Sequence, residues 1–344
     1  MKKAILILIL ALSTATGTGI TQVNLLYDDD CVGDSDCAIN FATLNKLADL
    51  GEINVLAVTA DSCNDYTAPS MFILDRYYGR PLTPIGAFQG SCPAGSTSAM
   101  SSSAWTAPLV SSFNPGDIRT NYPNATTLMR QTLAAAAASS MVIVSTGELS
   151  NIANLMRSTA DGASPLTGAQ LIKAKQPKLI VMGGDYPSGT ENNFAGDPVD
   201  AAYVYANWTN ANGYPPIYNV SFTDGNGVLS GLPSFASTSI IPGADILALA
   251  GVGVQRGSWD SLAILFAARG FAENGTTYFT DSGSGTNTVN ASSGANAWAS
   301  SPAAGQHYLI NFLSGTGFEA IFDGYAFQGF AGMPPYVANG ASLQ

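Results

Sequence analysis

Residues 28–36 (DDDCVGDSD) place five carboxylates in nine positions, directly after a short apolar run. Acids crowded at one chain turn repel one another unless a cation neutralises them. Hard oxygens with no histidine or thiolate pair beside them suit Ca²⁺ or Mg²⁺. The competing structural reading is that acids at a helix start gain from the helix dipole. A calcium loop of the EF-hand kind does not match: counted from Asp28, Gly33 is sixth but Ile39 stands twelfth, where Glu is needed. Three further groups carry polar chemistry after apolar runs: Ser145-Thr146-Gly147, Gly183-Gly184-Asp185 with Glu191-Asn192-Asn193 beyond it, and Ser258-Trp259-Asp260. The single histidine, His307, precedes an apolar stretch (308–313) and reads as structural. One histidine leaves little material for His-rich metal sites or most nucleophile–histidine triads.

These groups need elements to hold them. Strand-like runs at 23–27 (VNLLY), 53–60 (INVLAVTA), 82–87, 141–145 (MVIVS), 178–182 (KLIVM) and 217–222 alternate with helical spacing at 36–50, 68–78, 149–157, 198–211 and 260–269. Buried β-branched runs separated by helices predict an α/β fold. Its open, mixed, mostly parallel sheet has helices on both faces. Segments 89–123 and 281–306, rich in Ser, Gly and Asn, read as long surface loops. In such sheets ligands bind at the carboxyl ends of the strands, where the acid and glycine groups fall.

Composition narrows the function. The 344 residues are 46% hydrophobic and 11% charged, which excludes intrinsic disorder. A net charge of −11 excludes a nucleic-acid backbone binder, which needs a basic face. Lys2-Lys3, an apolar run at 4–12 and small residues at 13–19 read as a secretory signal peptide over 1–19. That run is far short of the ~20 residues that span a bilayer. The expectation is therefore a secreted, extracellular protein with no membrane attachment after cleavage and one domain over 20–344. Sequons at Asn124, Asn207, Asn219, Asn274 and Asn290 suit a glycoprotein. Cys31, Cys37, Cys63 and Cys92 allow three full disulfide connectivities in an oxidising compartment. The lack of a CxxC spacing speaks against zinc.

The spacing Asp28-x-Asp30-x-x-Gly33-Asp34-x-Asp36-x-Ala38 resembles the N-terminal aspartate signature of the inosine–uridine-preferring nucleoside hydrolase family, in a form with two extra residues before the paired acids. Further stretches follow in family order: residues 47–52 (LADLGE), 78–81 (YGRP), 145–151 (STGELSN), Met182-Gly183-Gly184 with Glu191-Asn192-Asn193-Phe194 and Asp197-Pro198, and Ser258-Trp259-Asp260. The resemblance implies a nucleoside hydrolase-like, Rossmann-like core over most of the chain. It also implies an N-ribohydrolase that releases ribose and a free base from a small-molecule nucleoside, in a homodimer or homotetramer.

Carried over residue by residue, the resemblance assigns Ca²⁺ to Asp30, the Thr146 carbonyl and Asp260. Asp30 then acts as general base on the attacking water. Asp36, Glu191, Asn193, Met182 and, across a local gap, Asn64 become substrate contacts. Two positions depart from the family. Cys37 stands where the second paired Asp, a calcium ligand, is expected; Asp34 or Asp36 then reaches the metal instead, a water fills the gap, or the metal is lost. Cys37 is alternatively a disulfide partner. Trp259 stands where well-known members carry a histidine acid, and stacks on the leaving base rather than protonating it. A catalytically impaired nucleoside- or sugar-binding protein on the same fold is the alternative, with a calcium-stabilised structural protein third.

Overall fold

The computed structural model describes residues 22–31, 36–92, 103, 105–231, 255–301 and 304–327. The leader expected over 1–19, and Asp34, lie outside them. Among the described residues, fifteen strands follow in chain order. The first seven are β1 (Val23–Asp29), β2 (Ile53–Ala60), β3 (Ile85–Ala87), β4 (Met141–Ser145), β5 (Lys178–Met182), β6 (Ser188–Gly189) and β7 (Ile217–Val220). Then come β8 (Leu229–Ser230), β9 (Arg256–Gly257), β10 (Ala272–Glu273), β11 (Thr276–Thr277), β12 (Phe279–Asp281), β13 (Gly285–Val289), β14 (Asn296–Ser300) and β15 (Gln306–Asn311). The main sheet runs β3-β2-β1-β4-β5-β7-β15-β13-β14-β6, with β12 also on β15. From β3 to β15 every pairing is parallel; β13, β14, β6 and β12 join antiparallel. The sheet is thus mixed and mostly parallel, as the sequence predicts.

Helices cover both faces. On one lie α1 (Cys37–Asp49), α2 (Thr67–Tyr77), α3 (Thr106–Phe113), α10 (Trp259–Arg269) and α11 (Gly315–Phe327). On the other lie α4 (Ala125–Ala135), α5 (Ser150–Arg157), α6 (Gly168–Lys175) and α8 (Pro198–Asn207). The short α7 (Asn192–Gly196) and α9 (Phe222–Asn226) sit after β6 and β7. Strand β1 shows why its run is unbroken: Leu25 and Tyr27 enter one core and Leu26 the other, all fully buried. Each such leucine contributes about 1.5–3 kcal/mol. The strand order reverses between β1 and β4, which opens a crevice at their carboxyl ends.

Three strands, β2, β4 and β5, have the bounds their apolar runs predict. The expected loop over 281–306 is instead the antiparallel pair β13–β14. Two of its four buried positions are amides: Asn287 N donates to Gln306 Oε1 (2.7 Å) and Asn296 Nδ2 to Asn287 Oδ1 (3.2 Å). Hydrogen-bonded amides replace the apolar alternation that signals a strand. The other expected loop, 89–123, contains α3. Helices α4 and α6 lie in stretches for which the sequence pattern assigns no element, and Thr167 and Gln170 make a capping box at the start of α6. Segment 82–87 is a strand only from Ile85, with Leu82 91% exposed, and Phe222 opens α9 rather than ending β7.

The cysteines pair as Cys31–Cys37 and Cys63–Cys92, with Cα separations of 5.3 and 5.2 Å. Among the sequons, Asn219 is fully buried in β7, accepting from Tyr205 and donating to His307 O, so it cannot carry a glycan. His307 stacks on Tyr218 and pairs with Asp281 at 2.9 Å, a structural role. Among the described residues no helix is long and apolar enough to cross a membrane.

Candidate functional site

A cleft of about 270 Å³ opens at the carboxyl ends of β1, β4 and β5. Asp30 follows β1, Asp36 precedes α1, Thr146 follows β4 and Met182 ends β5. Asn192 and Asn193 come from the first turn of α7, with Glu191 as its N-cap; Trp259 and Asp260 come from the first turn of α10. Eight of the ten residues singled out in the sequence therefore line one cleft: Asp30, Asp36, Thr146, Met182, Glu191, Asn193, Trp259 and Asp260. Asp34 lies outside the described residues. Asn64 does not line the cleft: its Oδ1 accepts from Tyr66 N (2.8 Å) and its Nδ2 donates to Ser103 Oγ (3.0 Å). The Cys63–Cys92 disulfide ties the turn that holds it.

Each side chain is held from behind. The Cys31–Cys37 bond joins the end of β1 to the start of α1, each cysteine directly following one of Asp30 and Asp36. One turn further along α1, Asn40 Nδ2 donates to Asp260 Oδ2 at 2.6 Å, and Ser261 Oγ donates to Asn40 Oδ1 at 3.0 Å. Glu191 accepts from the amides of Gly184 (3.0 Å), Asn193 (2.6 Å) and Phe194 (3.2 Å). Burial outweighs those donors and pushes its carboxyl up to about 7. Asn193 Nδ2 donates to Thr146 O (2.9 Å) and Met182 O (3.2 Å), which ties β4 and β5 to α7.

Beneath the cleft lies a layer of acids that sequence reasoning did not single out for roles. Asp28 turns away from Asp29 and accepts from Thr59 (2.6 Å), Asn151 (2.9 Å) and Ser145 (3.1 Å). Burial raises it to about 7 despite these donors. Asp61 and Glu148 are buried beside them, and desolvation pushes Asp61 well up and Glu148 to about 8. A Cβ at Gly147 would stand 2.5 Å from Asp61 Oδ2, so only glycine fits the turn after Thr146. The one signal available was the acid content of residues 59–64 and 145–151.

Phe222, Asn226 and Arg256 also line the cleft, and sequence reasoning missed them because they lie within the short, weakly patterned α9 and β9. Trp259 is only 7% exposed. Phe222 stacks on it (5.7 Å, 15°), its Nε1 donates to Phe222 O (2.9 Å), and the Arg256 guanidinium lies over its ring at 5.2 Å. A Cβ on Gly225 or Gly257 would overlap the indole. The tryptophan thus carries its neighbours more than it presents a face of its own.

Among the described residues, one trio of metal-ligating types gathers its atoms within 4.8 Å: Asp29, Cys31 and Cys37. Its two sulfurs are joined to each other, so it holds no thiolate ligands. Asp30, Asp36 and Asp260, with the Thr146 carbonyl, offer oxygens of the kind a hard divalent cation takes.

No protein-family model matches the sequence, and no curated protein is similar to it. Solved structures share its fold at low identity. A plant nucleoside hydrolase, PpNRh1, superposes with a TM-score of 0.60 at 15% identity, over 89% of this chain and 99% of that one. An inosine-guanosine nucleoside hydrolase gives 0.63 at 15% identity, over 89% and 97%. The type III effector protein XopQ, complexed with adenosine diphosphate ribose, gives 0.64 at 14% identity, over 89% and 92%. The chain is similar to these proteins in fold: a nucleoside hydrolase-like sheet with helices on both faces.

Proposed function

We propose that the cleft binds a ribonucleoside and hydrolyses its N-glycosidic bond, giving ribose and a free base. The observation that carries this reading is the meeting of Asp30, Thr146, Glu191, Asn193 and Asp260 at one cleft, from four separate elements, at the strand-order reversal. The neighbours named as nucleoside hydrolases support it.

Asp36, Glu191 and Asn193 hydrogen-bond the sugar hydroxyls and hold the ring as it flattens toward an oxocarbenium ion. The surrounding carboxylates stabilise the cationic charge that develops on it. Asp30 takes one proton from the attacking water. The water oxygen bonds to C1′, the C1′–N electron pair leaves with the base, and the base collects a proton from solvent as Asp30 returns its own. The donor set fits a hard ion in kind, so Ca²⁺ would be held by Asp30, Asp36, Asp260 and the Thr146 carbonyl, with Cys37 giving no ligand. When bound, such an ion lowers the pKa of a coordinated water. Secretion, glycosylation at the exposed Asn124, Asn274 and Asn290, a single domain over 20–344 and a dimer or tetramer belong to the same proposal.

One observation favours a second reading, a nucleoside- or sugar-binding protein without turnover: a disulfide occupies the position where the resemblance places a metal-binding acid. Incubation with inosine, uridine and adenosine, with and without a chelator, separates the two. Base release supports hydrolysis. Ribose or nucleoside binding by calorimetry with no release under any condition selects the second reading.

A further inference from the structure

A second, open groove of about 810 Å³ lies between the turn after β3 and the helices α4 and α5, and it shares no residue with the cleft. Its two arginines are already taken up. Arg130 donates to Asp161, Ser158 Oγ and the carbonyls of Ser164 and Leu166, while Arg157 pairs with Asp200 and lies over the Tyr203 ring. What the groove offers a ligand is uncharged. Gln89 Oε1, the Thr126 and Thr159 hydroxyls and the Asn154 amide line it and make no hydrogen bond among the described residues. Asn151, which also lines it and is only 1% exposed, gives Nδ2 to Asp28 Oδ1 (2.9 Å) and Ala60 O (3.0 Å). Its Oδ1 stays buried with no partner. A buried acceptor left that way costs about 1–3 kcal/mol until something donates to it. Neutral amides and hydroxyls beside one ring, Phe88, match a saccharide. An anion would need a cation not already paired.

On the rim of this groove stands Asn124, the exposed asparagine of the sequon Asn124-Ala125-Thr126. Its Oδ1 caps α4 by accepting from Thr127 N (3.3 Å), and its Nδ2 makes no hydrogen bond among the described residues. A sugar attached at Nδ2 leaves the amide oxygen in place, so the cap and the modification coexist. We infer that the groove is a saccharide site and that the N-linked sugar of Asn124 lies in it. The inference rests on the secretory reading above. A sugar tethered at the rim meets the groove at an effective concentration on the order of millimolar, so a few neutral hydrogen bonds suffice to seat it. A free sugar has no such help and must overcome the full loss of its translational and rotational freedom. The other exposed sequons, Asn274 and Asn290, line neither the groove nor the cleft, so sugars there have no comparable cradle.

The test secretes the full chain from a eukaryotic host and follows the removal of its sugars by an endoglycosidase, using glycopeptide mass spectrometry on native and denatured protein. Asn124 should be occupied. In the native protein its sugar should be removed at least about tenfold more slowly than those of Asn274 and Asn290, as for a chain seated roughly nine-tenths of the time. Denaturation should abolish the difference. The double variant Asn154→Ala/Thr159→Ala should lose most of this protection with its melting transition intact. If that variant does not melt as a native protein, Thr159→Ala alone, at an exposed position, is read by the same criteria. An empty Asn124 beside occupied Asn274 and Asn290, equal native rates at all three, or full protection retained in the groove variant overturns the inference and leaves the secretory reading standing. Sugar at none of the three defeats the secretory reading and the inference with it. Calorimetry with N-acetylglucosamine separates the sources: binding to Asn124→Gln but not to the glycosylated wild type agrees with an attached occupant, whereas equal binding to both places a free sugar there and overturns it.

Discussion

In the proposed reaction Asp30 is the general base, and it follows β1 directly into the cleft. Asp30→Asn should lower the rate of base release by several orders of magnitude while the melting temperature measured without calcium holds or rises, since carboxylate repulsion is relieved. Steady-state kinetics beside a thermal melt checks this. A second acid gives a clean pH test away from the cleft. Asp75, buried in α2, is raised by desolvation to about 7, against the partial help of Asn45 and Arg80. Its folded state therefore keeps a proton that the unfolded chain loses near pH 4. This contribution to stability is full below that point and is lost as pH rises toward 7. Asp75→Asn should match wild type at pH 4 and exceed it above pH 7 by an amount on the order of 3 kcal/mol, measured by urea unfolding at both values. The acids at residues 28–36 were legible as a site because they crowd at one turn. Arg256 and Phe222 were not, since a lone cation and a lone aromatic outside a strong periodic run look like any surface pair. Asn64, which the resemblance places on the sugar, bonds instead to the Tyr66 amide in its own turn and to the Ser103 hydroxyl.

At the scale of elements, α1 is the positioning device. It begins at a disulfide whose cysteines directly follow Asp30 and Asp36, and its Asn40 holds Asp260 on α10. Replacing both Cys31 and Cys37 by Ser should cost about 2 kcal/mol, as expected for a short closed loop. It should also weaken ribose binding, which chemical denaturation and calorimetry would show. Asn40→Ala removes a buried hydrogen bond to a carboxylate and should cost about 1–3 kcal/mol. If stability and nucleoside affinity both stay at wild-type levels, Asp260 is not held through α1. Strands with unbroken β-branched runs were readable to the residue. β13 and β14 were not, because two of their four buried positions are hydrogen-bonded amides and leave no apolar period to follow. Local sequence reports burial by oil, not burial by hydrogen bonding.

Over the whole molecule, the order β3-β2-β1-β4-β5-β7 explains why acids so far apart in the chain meet. The reversal beside β1 sets the loops after β1, β4 and β5 around one crevice, and α10 closes it from the face that α1 shares. The alternating pattern of runs and helices was enough to predict this layered sheet, while the antiparallel extension past β15 lay hidden in a Ser/Asn-rich stretch. If the oxygen set holds calcium, millimolar Ca²⁺ should raise the melting temperature of wild type and leave Asp260→Asn nearly unmoved. Hydrolysis of an N-ribosidic bond is measured by incubating the protein with inosine in ¹⁸O-labelled water and weighing the sugar product. Free hypoxanthine with one labelled oxygen on ribose C1′ is expected; intact inosine, or a sugar product without the label, would overturn the proposed reaction.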